Sequence, residues 1–158
     1  MSALAPAAKR ARPPGLDARV STLDLPTINS IYSLAVDKDG TTFVGTASAL
    51  FIITGGRVSL FAGSKDEEGY ADGEAADARF SDIVGLAVDR DGSLLVTDCG
   101  NHCLRRVTQH GTVSTVAGNG EEGEGYADGV GAAARFNCPC GIAVDGDGTM
   151  YVSDWGNN

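Results

Sequence analysis

The chain has 158 residues, a formal net charge of −9 and 22 glycines, and its length suits one domain. No apolar run approaches the ~20 residues that a membrane-spanning helix needs. The N-terminal stretch has basic residues but no apolar segment behind them, so it does not resemble a secretory signal. We therefore expect an intracellular protein, cytoplasmic or nuclear, with no membrane partner.

The first 30 residues differ from the rest of the chain. Residues 1–18 are rich in Ala, Pro and basic residues, and we expect them to be a disordered tail. This tail contains a basic cluster, Lys9, Arg10 and Arg12. The cluster could be a nuclear localisation signal, but we favour a solvent-exposed charged segment. Residues 19–30 contain Arg-Val-Ser-Thr-Leu, which is similar to segments later in the chain. We interpret them as an orphan outer strand that could close a ring.

From residue 31 onward the chain is a tandem repeat, with units at 31–82, 83–140 and 141–158. The frame Ala-Val-Asp-x-Asp-Gly puts Asp37, Asp89 and Asp145 at comparable places in the three units. A block Gly-Tyr-Ala-Asp-Gly, closed by Ala-Arg-Phe, ends the first two units. A period of roughly 50 residues is typical of propellers and solenoids.

The second unit contains four strand signals, which are separated by turn signals. They lie at 86–89, 94–97, 104–108 and 113–116, and no segment has the 3.6-residue spacing of a helix. Four antiparallel strands per unit are typical of a propeller blade. We predict an all-β fold, a partial β-propeller of about two blades plus the start of a third. In the third strand, we place Arg105 and Arg106 at or near the solvent side.

The block between units should connect one blade to the next. Its Asp-Gly pairs predict turns, and Phe80 and Phe136 are suited to anchor the crossing in an inter-blade core. The fixed offset from Asp72 to Arg79 in the first block permits an ion pair, which would contribute only ~0–1 kcal/mol if it is partly exposed.

Three motifs in succession resemble the NHL repeat: Gly-[Ile/Leu]-Ala-Val-Asp-x-Asp-Gly, Val-x-Asp-x-Gly-Asn-His-x-Leu-Arg-Arg and Gly-x-Val-Ser-Thr-x-Ala-Gly. This family builds β-propellers, often of six blades. The first unit departs from the pattern because Gly-Thr-Ala-Ser-Ala-Leu replaces the Asp and Asn turn. The third unit stops inside that turn, so we expect a piece of a longer polypeptide. The repeat-signature positions, interpreted as structural, are Asp89, Asp98, Asn101, His102, Leu104, Arg105, Asp128, Arg135, Phe136, Asp145, Asp154 and Asn157.

We predict no catalytic, cofactor-binding or metal-ligating residues. The Asp-x-Asp-Gly frame starts like a calcium loop, but Ser48, Gly100 and Gly156 stand where an EF-hand needs Glu, so we predict hairpin turns. Residues 118–123 read Gly-Asn-Gly-Glu-Glu-Gly, whose acidic residues would repel a phosphate. The acidic connecting blocks could hold a divalent cation weakly, although such charge runs are usually solvated.

The four cysteines are Cys99, Cys103, Cys138 and Cys140, and we expect reduced thiols. The two pairs could approach each other across neighbouring blades. Their spacings are C-x-x-x-C and C-x-C, at turns of an existing repeat, whereas structural zinc sites typically close a small fold. We favour buried or turn thiols over a zinc site.

Three functions remain open. The first 30 residues carry a net charge of +2, so the net charge of the repeats is −11. This negative charge disfavours the binding of RNA phosphates, which some NHL propellers bind. The resemblance also covers propeller enzymes, such as lactonases and amidating lyases. We favour a non-catalytic protein-interaction scaffold, a role that the resemblance implies, for example in ubiquitin-ligase-linked proteins. Its partner would be a protein.

Overall fold

The computed structural model describes residues 28–120 and 123–158, and it confirms the all-β fold. Two 3₁₀ turns, Ala75–Asp77 and Gly131–Ala133, interrupt the strands. The expected tail and the Arg-Val-Ser-Thr-Leu strand lie outside the described residues. The strands are β1 Ser33–Val36, β2 Thr42–Gly45, β3 Ala49–Thr54, β4 Arg57–Gly63, β5 Gly73–Glu74, β6 Ile83–Val88, β7 Leu94–Asp98, β8 Cys103–Val107, β9 Thr112–Gly118, β10 Pro139–Val144 and β11 Met150–Asp154.

The strands form three antiparallel sheets. The first unit gives a four-stranded blade in the order β1-β2-β3-β4, and the second gives β6-β7-β8-β9 with β5 added outside β9. The third unit contributes the pair β10-β11. Within β1 to β4, β6 to β9 and β10 to β11, each strand pairs with its neighbour in sequence because short turns join them, whereas β5 pairs with the distant β9. The predicted four-stranded blade is therefore confirmed, and its four strand signals fall on β6 to β9.

The main hydrophobic core lies between the first two blades. Alternation along the strands sends side chains to opposite faces; Phe43 faces this core, whereas the next residue, Val44, packs in a second cluster. Phe80 from the connecting block is fully buried in the main core, as the sequence predicted. Its other fully or largely buried members are Leu50, Ala62, Ala78, Ile83, Leu86, Leu94, Val96, Val107 and Val113.

The first strands of the three units lie side by side: β6 contacts β1 on one side and β10 on the other. This is the arrangement of the innermost strands of propeller blades. Small residues in these strands permit it. A Cβ atom on Gly85 would overlap the carbonyl oxygen of Cys140, so the backbones of β6 and β10 approach closely there.

The two flanks of this assembly expose apolar side chains. Leu34 and Val36 of β1 are more than half exposed, and so are Tyr151 and Trp155 at the other end. These are the faces on which further blades would pack in a closed ring. None of the helices in the described part of the chain is long and apolar enough to cross a membrane.

Candidate functional site

Arg105 is the centre of a buried polar network that joins the second blade to the block before it. Its side chain is fully buried in β8. Nη1 donates to Asp98 Oδ2 at 2.7 Å, and Nη2 donates to Asp72 Oδ1 at 2.8 Å. The guanidinium also donates to the carbonyl oxygens of Ala71 and Arg79 at 2.6 and 3.1 Å. A buried charge needs such partners, because leaving it unpaired is costly.

The prediction that Arg105 lies at the solvent side is wrong. Side chains alternate along β8, so Arg105 shares a face with Cys103 and Val107, which are both fully buried. Arg106 points the other way, is partly exposed and pairs with Asp89 and Asp91. The apolar residues two positions before and after Arg105 were the signal that could have located it.

Asp98 shares the network at the end of β7. Its carboxylate accepts hydrogen bonds from the amide of Asn101 at 2.9 Å and from the backbone N–H of Ser81 at 2.8 Å. Burial raises the pKa of Asp98 to about 6, although these donors and Arg105 favour its ionised form. The residue is therefore ionised at neutral pH and close to protonation in mild acid.

The third unit repeats this geometry as far as the sequence runs. Asp154 accepts from the backbone N–H of Asn137 at 2.8 Å, and Asn157 donates to the carbonyl oxygen of Gly125 at 2.7 Å. Asn101 makes the corresponding bond to Gly69 in the second blade. The signature Asp and Asn thus tie the second blade and the third unit to the connecting blocks that precede them.

The connecting block belongs structurally to the blade that follows it. Asp72 and Arg79 do not form the ion pair that their spacing permits. Arg79 pairs with Glu67 instead, at 2.9 Å. Asp72 instead binds Arg105 and accepts from the backbone N–H of Thr115 on β9 at 2.9 Å. The ring of Tyr70 lies 5.0 Å from the Arg105 guanidinium. Phe136, the counterpart of Phe80, is only partly buried.

The Asp-x-Asp-Gly segments are hairpin turns, as predicted. In the third one, Asp145 accepts from the backbone N–H groups of Asp147 and Thr149, which lower its pKa. Hydrogen bonds from Ser93, together with Arg106, lower the pKa of Asp91 to about 2. These carboxylates are thus ionised and engaged with their own turns, and among the described residues no group of them has metal-site geometry.

The three turns meet around a cleft of about 700 Å³, which the sequence did not predict. Its rim carries five aspartates and two basic residues, so it is acidic. Apolar side chains line it as well, among them Phe43, Ile52 and Phe61. The rim residues are Asp37, Lys38, Asp39, Asp89, Arg90, Asp91 and Asp145.

The cysteines show a second departure from expectation. Cys99, in the turn after β7, and Cys138, next to the start of β10, form a disulfide, so the prediction of reduced thiols is wrong for this pair. Cys140 is a free thiol whose Sγ lies 4.0 Å from that of Cys138. Cys103 is free and fully buried, and burial raises its pKa to about 12. The expected approach of cysteines across blades therefore occurs, but without Cys103.

His102, a signature residue, lies beside the disulfide. Its Nδ1 accepts a hydrogen bond from the backbone N–H of Cys138 at 3.1 Å, which links the turn after β7 to the start of β10. The residue has a φ of 52°, in the left-handed region that few non-glycine residues adopt. His110, the other histidine, is exposed in the turn between β8 and β9.

Comparison with known proteins agrees with this architecture. The sequence model of the NHL repeat matches residues 80–107. Protein SUPPRESSOR OF QUENCHING 1, chloroplastic, from Arabidopsis thaliana is 38% identical over 86 residues, which are 52% of this chain and 8% of that protein. The chain thus spans less than a tenth of this curated relative.

Two solved structures show the same fold. An auxiliary nutrient binding protein from Bacteroides ovatus superposes with a TM-score of 0.70 at 20% identity, over 87% of this chain and 38% of its own. Virginiamycin B lyase from Staphylococcus aureus gives a TM-score of 0.54 at 14% identity, over 82% and 36%. A binding protein and an enzyme thus share the architecture. The chain carries an NHL repeat at residues 80–107, within blades that form part of a β-propeller.

Proposed function

We propose that this chain is a non-catalytic recognition module, which binds a protein segment containing basic and apolar residues in the cleft between the three Asp-x-Asp-Gly turns. The observation that carries the proposal is the composition of the cleft, an acidic rim beside apolar side chains. Opposite charges steer a partner and set its register, while buried apolar contacts supply most of the affinity. Interaction faces of propellers are built from such clustered turns.

The chemistry of the rim favours a protein partner over RNA. Five aspartates against two basic residues would repel a phosphate backbone, whose neutralisation supplies most of the affinity for nucleic acid. The enzyme alternative rests on fold alone, since the lyase shares only 14% of its sequence with this chain. Within a longer protein, a recognition module of this kind could serve a ubiquitin-ligase-linked domain, as the resemblance implies.

A pair of labelled peptides tests the proposal. We expect the full chain to bind a fluorescein-labelled peptide of alternating Arg and Leu, and not the matched peptide of Glu and Leu, in fluorescence anisotropy. Reversal of a rim charge in Asp39→Lys should weaken binding roughly fivefold, the effect of about 1 kcal/mol. Asp66→Lys, the same change at an exposed position just before the connecting block, should leave the affinity unchanged.

Three outcomes would contradict the proposal. They are equal binding of both peptides, equal weakening by the two variants, and no binding of the Arg and Leu peptide at low salt. Increasing salt should weaken the interaction, because the exposed rim charges are screened over about 10 Å at 0.1 M.

A further inference from the structure

Three sulfur atoms converge at the junction between the second and third units. Cys99 lies in the turn after β7, Cys138 precedes β10 by one residue, and Cys140 is in β10. The Sγ atoms all lie within 4.8 Å of one another. We propose that reduction of the Cys99–Cys138 disulfide converts this cluster into a binding site for one thiophilic divalent cation of the Zn²⁺ class.

The distances suit tetrahedral thiolate coordination. Zinc–sulfur bonds of about 2.3 Å place two sulfur ligands about 3.8 Å apart. Cys138 and Cys140 already have their Sγ atoms 4.0 Å apart. After reduction, Cys99 Sγ has only to withdraw from bonding distance to a similar separation. Rotation of side chains can provide that movement without a shift of either backbone.

Hydrogen bonds that do not involve the disulfide hold the backbone in place. Cys99 donates its N–H to the carbonyl oxygen of Asp82 at 3.0 Å. Cys138 donates its N–H to His102 and accepts from the N–H of Trp155 at 3.2 Å. The reduced site is therefore pre-organised, which lowers the entropic cost of binding the cation.

The ligand set selects the class of cation. Three thiolates favour Zn²⁺ and its soft analogues over Mg²⁺ or Ca²⁺, which prefer oxygen. The fourth tetrahedral position would be taken by water or an exogenous donor, because the His102 ring nitrogens are outside the group of mutually close ligand atoms. Cys103 is outside it too, and its raised pKa disfavours the thiolate that a metal needs.

A phosphine can reduce the Cys99–Cys138 disulfide. The phosphine is oxidised to its oxide with an oxygen atom from water, and the disulfide is reduced to two thiols. With Cys140 this gives three thiols, which lose protons to the buffer as the cation binds. Affinity should therefore fall as the pH is lowered.

The test titrates the full chain with Co²⁺ and then with Zn²⁺. We expect the phosphine-reduced chain, freed of reductant under anaerobic conditions, to bind one Co²⁺ with a thiolate charge-transfer band that one equivalent of Zn²⁺ abolishes. Cys140→Ser should weaken Zn²⁺ binding at least tenfold. Cys103→Ser, which alters the cysteine outside the cluster, should bind like the unaltered chain, and circular dichroism should show that both variants are folded.

Any of several results would overturn the proposal. One is the absence of a Co²⁺ band in the reduced, folded chain. Another is equal affinity in Cys140→Ser and Cys103→Ser, which would indicate binding elsewhere. A third is equal binding by the oxidised chain, in which Cys99 and Cys138 cannot both act as thiolates. The oxidised chain needs no substitution, so this comparison holds even if a variant is unstable.

Discussion

Arg105 shows how one buried side chain can organise a repeat. Its guanidinium makes five hydrogen bonds, to two carboxylates and two backbone carbonyls, and these partners belong to β7 and to the connecting block. The planar, forked donor geometry of arginine allows this, whereas lysine offers a point charge. Pairing offsets the cost of burying the charge, and it fixes the register between blade and block.

The pH dependence of stability tests the environment of Asp98. In the folded chain the pKa of Asp98 is about 6, against about 3.8 for an aspartate free in water. The folded state therefore binds more protons between about pH 4 and 6, so this group's contribution to stability falls as pH rises through that window. We expect Asp98→Asn to remove the effect.

The measurement is urea denaturation of the full chain and of Asp98→Asn at intervals from pH 4 to 7. The unaltered chain should gain stability over the variant as pH falls, by at most about 1.4 kcal/mol per pH unit within the window. Asp66→Asn, an exposed acid, serves as control. A difference that shrinks as pH falls would mean that Arg105 outweighs burial and lowers the pKa of Asp98.

Residue types and spacing predicted the hairpin aspartates but not the surroundings of Arg105. Asp37, Asp89 and Asp145 bind backbone groups within five residues, so local sequence was sufficient. Arg105 depends on Asp72, 33 positions earlier in the chain. Charge alone suggested exposure for Arg105, and the strand alternation that contradicts it was weaker evidence until the sheet was known.

The connecting block packs against the blade that follows it. Tyr70 contributes three contacts: its ring faces the Arg105 guanidinium, its hydroxyl lies 3.1 Å from Thr115 Oγ1, and the ring packs close to Gly120. Tyr126 occupies the same place in the second block and is 80% exposed. The two tyrosines therefore form a matched pair.

We expect Tyr70→Ala to lower the free energy of unfolding by about 1–3 kcal/mol, because it removes apolar burial and a cation–π contact. Tyr126→Ala should change it by less than about 0.5 kcal/mol, as is usual for exposed positions. Chemical denaturation of both variants checks this. Equal effects of the two substitutions would show that the contacts of Tyr70 do not specifically stabilise the second blade.

The sequence predicted the elements that local pattern determines. Alternation and Asp-Gly turns located the four strands of the second blade. The two-residue strand β5 escaped prediction because its pairing with Thr112 and Val113 depends on the path of the connecting block. A segment this short has no periodicity to read.

Close backbone contact joins the units at Gly85 of β6. A methyl group there would overlap the Cys140 carbonyl oxygen and approach Thr97. Gly85→Ala should push β10 away from β6, and hydrogen exchange should then be faster in β10 and β11 than in the unaltered chain. Gly146→Ala, whose new methyl group would meet only a flexible Arg90 side chain, is the control.

Two outcomes of the hydrogen-exchange experiment would contradict this expectation. Unchanged protection of β10 and β11 in Gly85→Ala would mean that the third unit does not depend on this contact. Increased exchange spread evenly over all three units would instead indicate general destabilisation.

The repeat predicted the architecture, but the cleft and the cysteine cluster required three dimensions. Each turn of the cleft rim comes from a different unit, and no single stretch of sequence contains the surface they form. Cys99 and Cys138 are 39 residues apart, and their approach depends on how successive blades stack. Local rules specify a blade, whereas sites between blades depend on the packing of units.

The strand β5 also bears on aggregation. An unpaired edge strand can recruit a strand from another molecule. On the second blade, β5 pairs with Thr112 and Val113, and the Asp72 carboxylate occupies the N–H of Thr115, so much of the β9 edge has no groups to offer. Among the described residues, β4 has no strand outside it. Of these two outer edges, the one at β9 is therefore the better protected against pairing with a strand of another molecule.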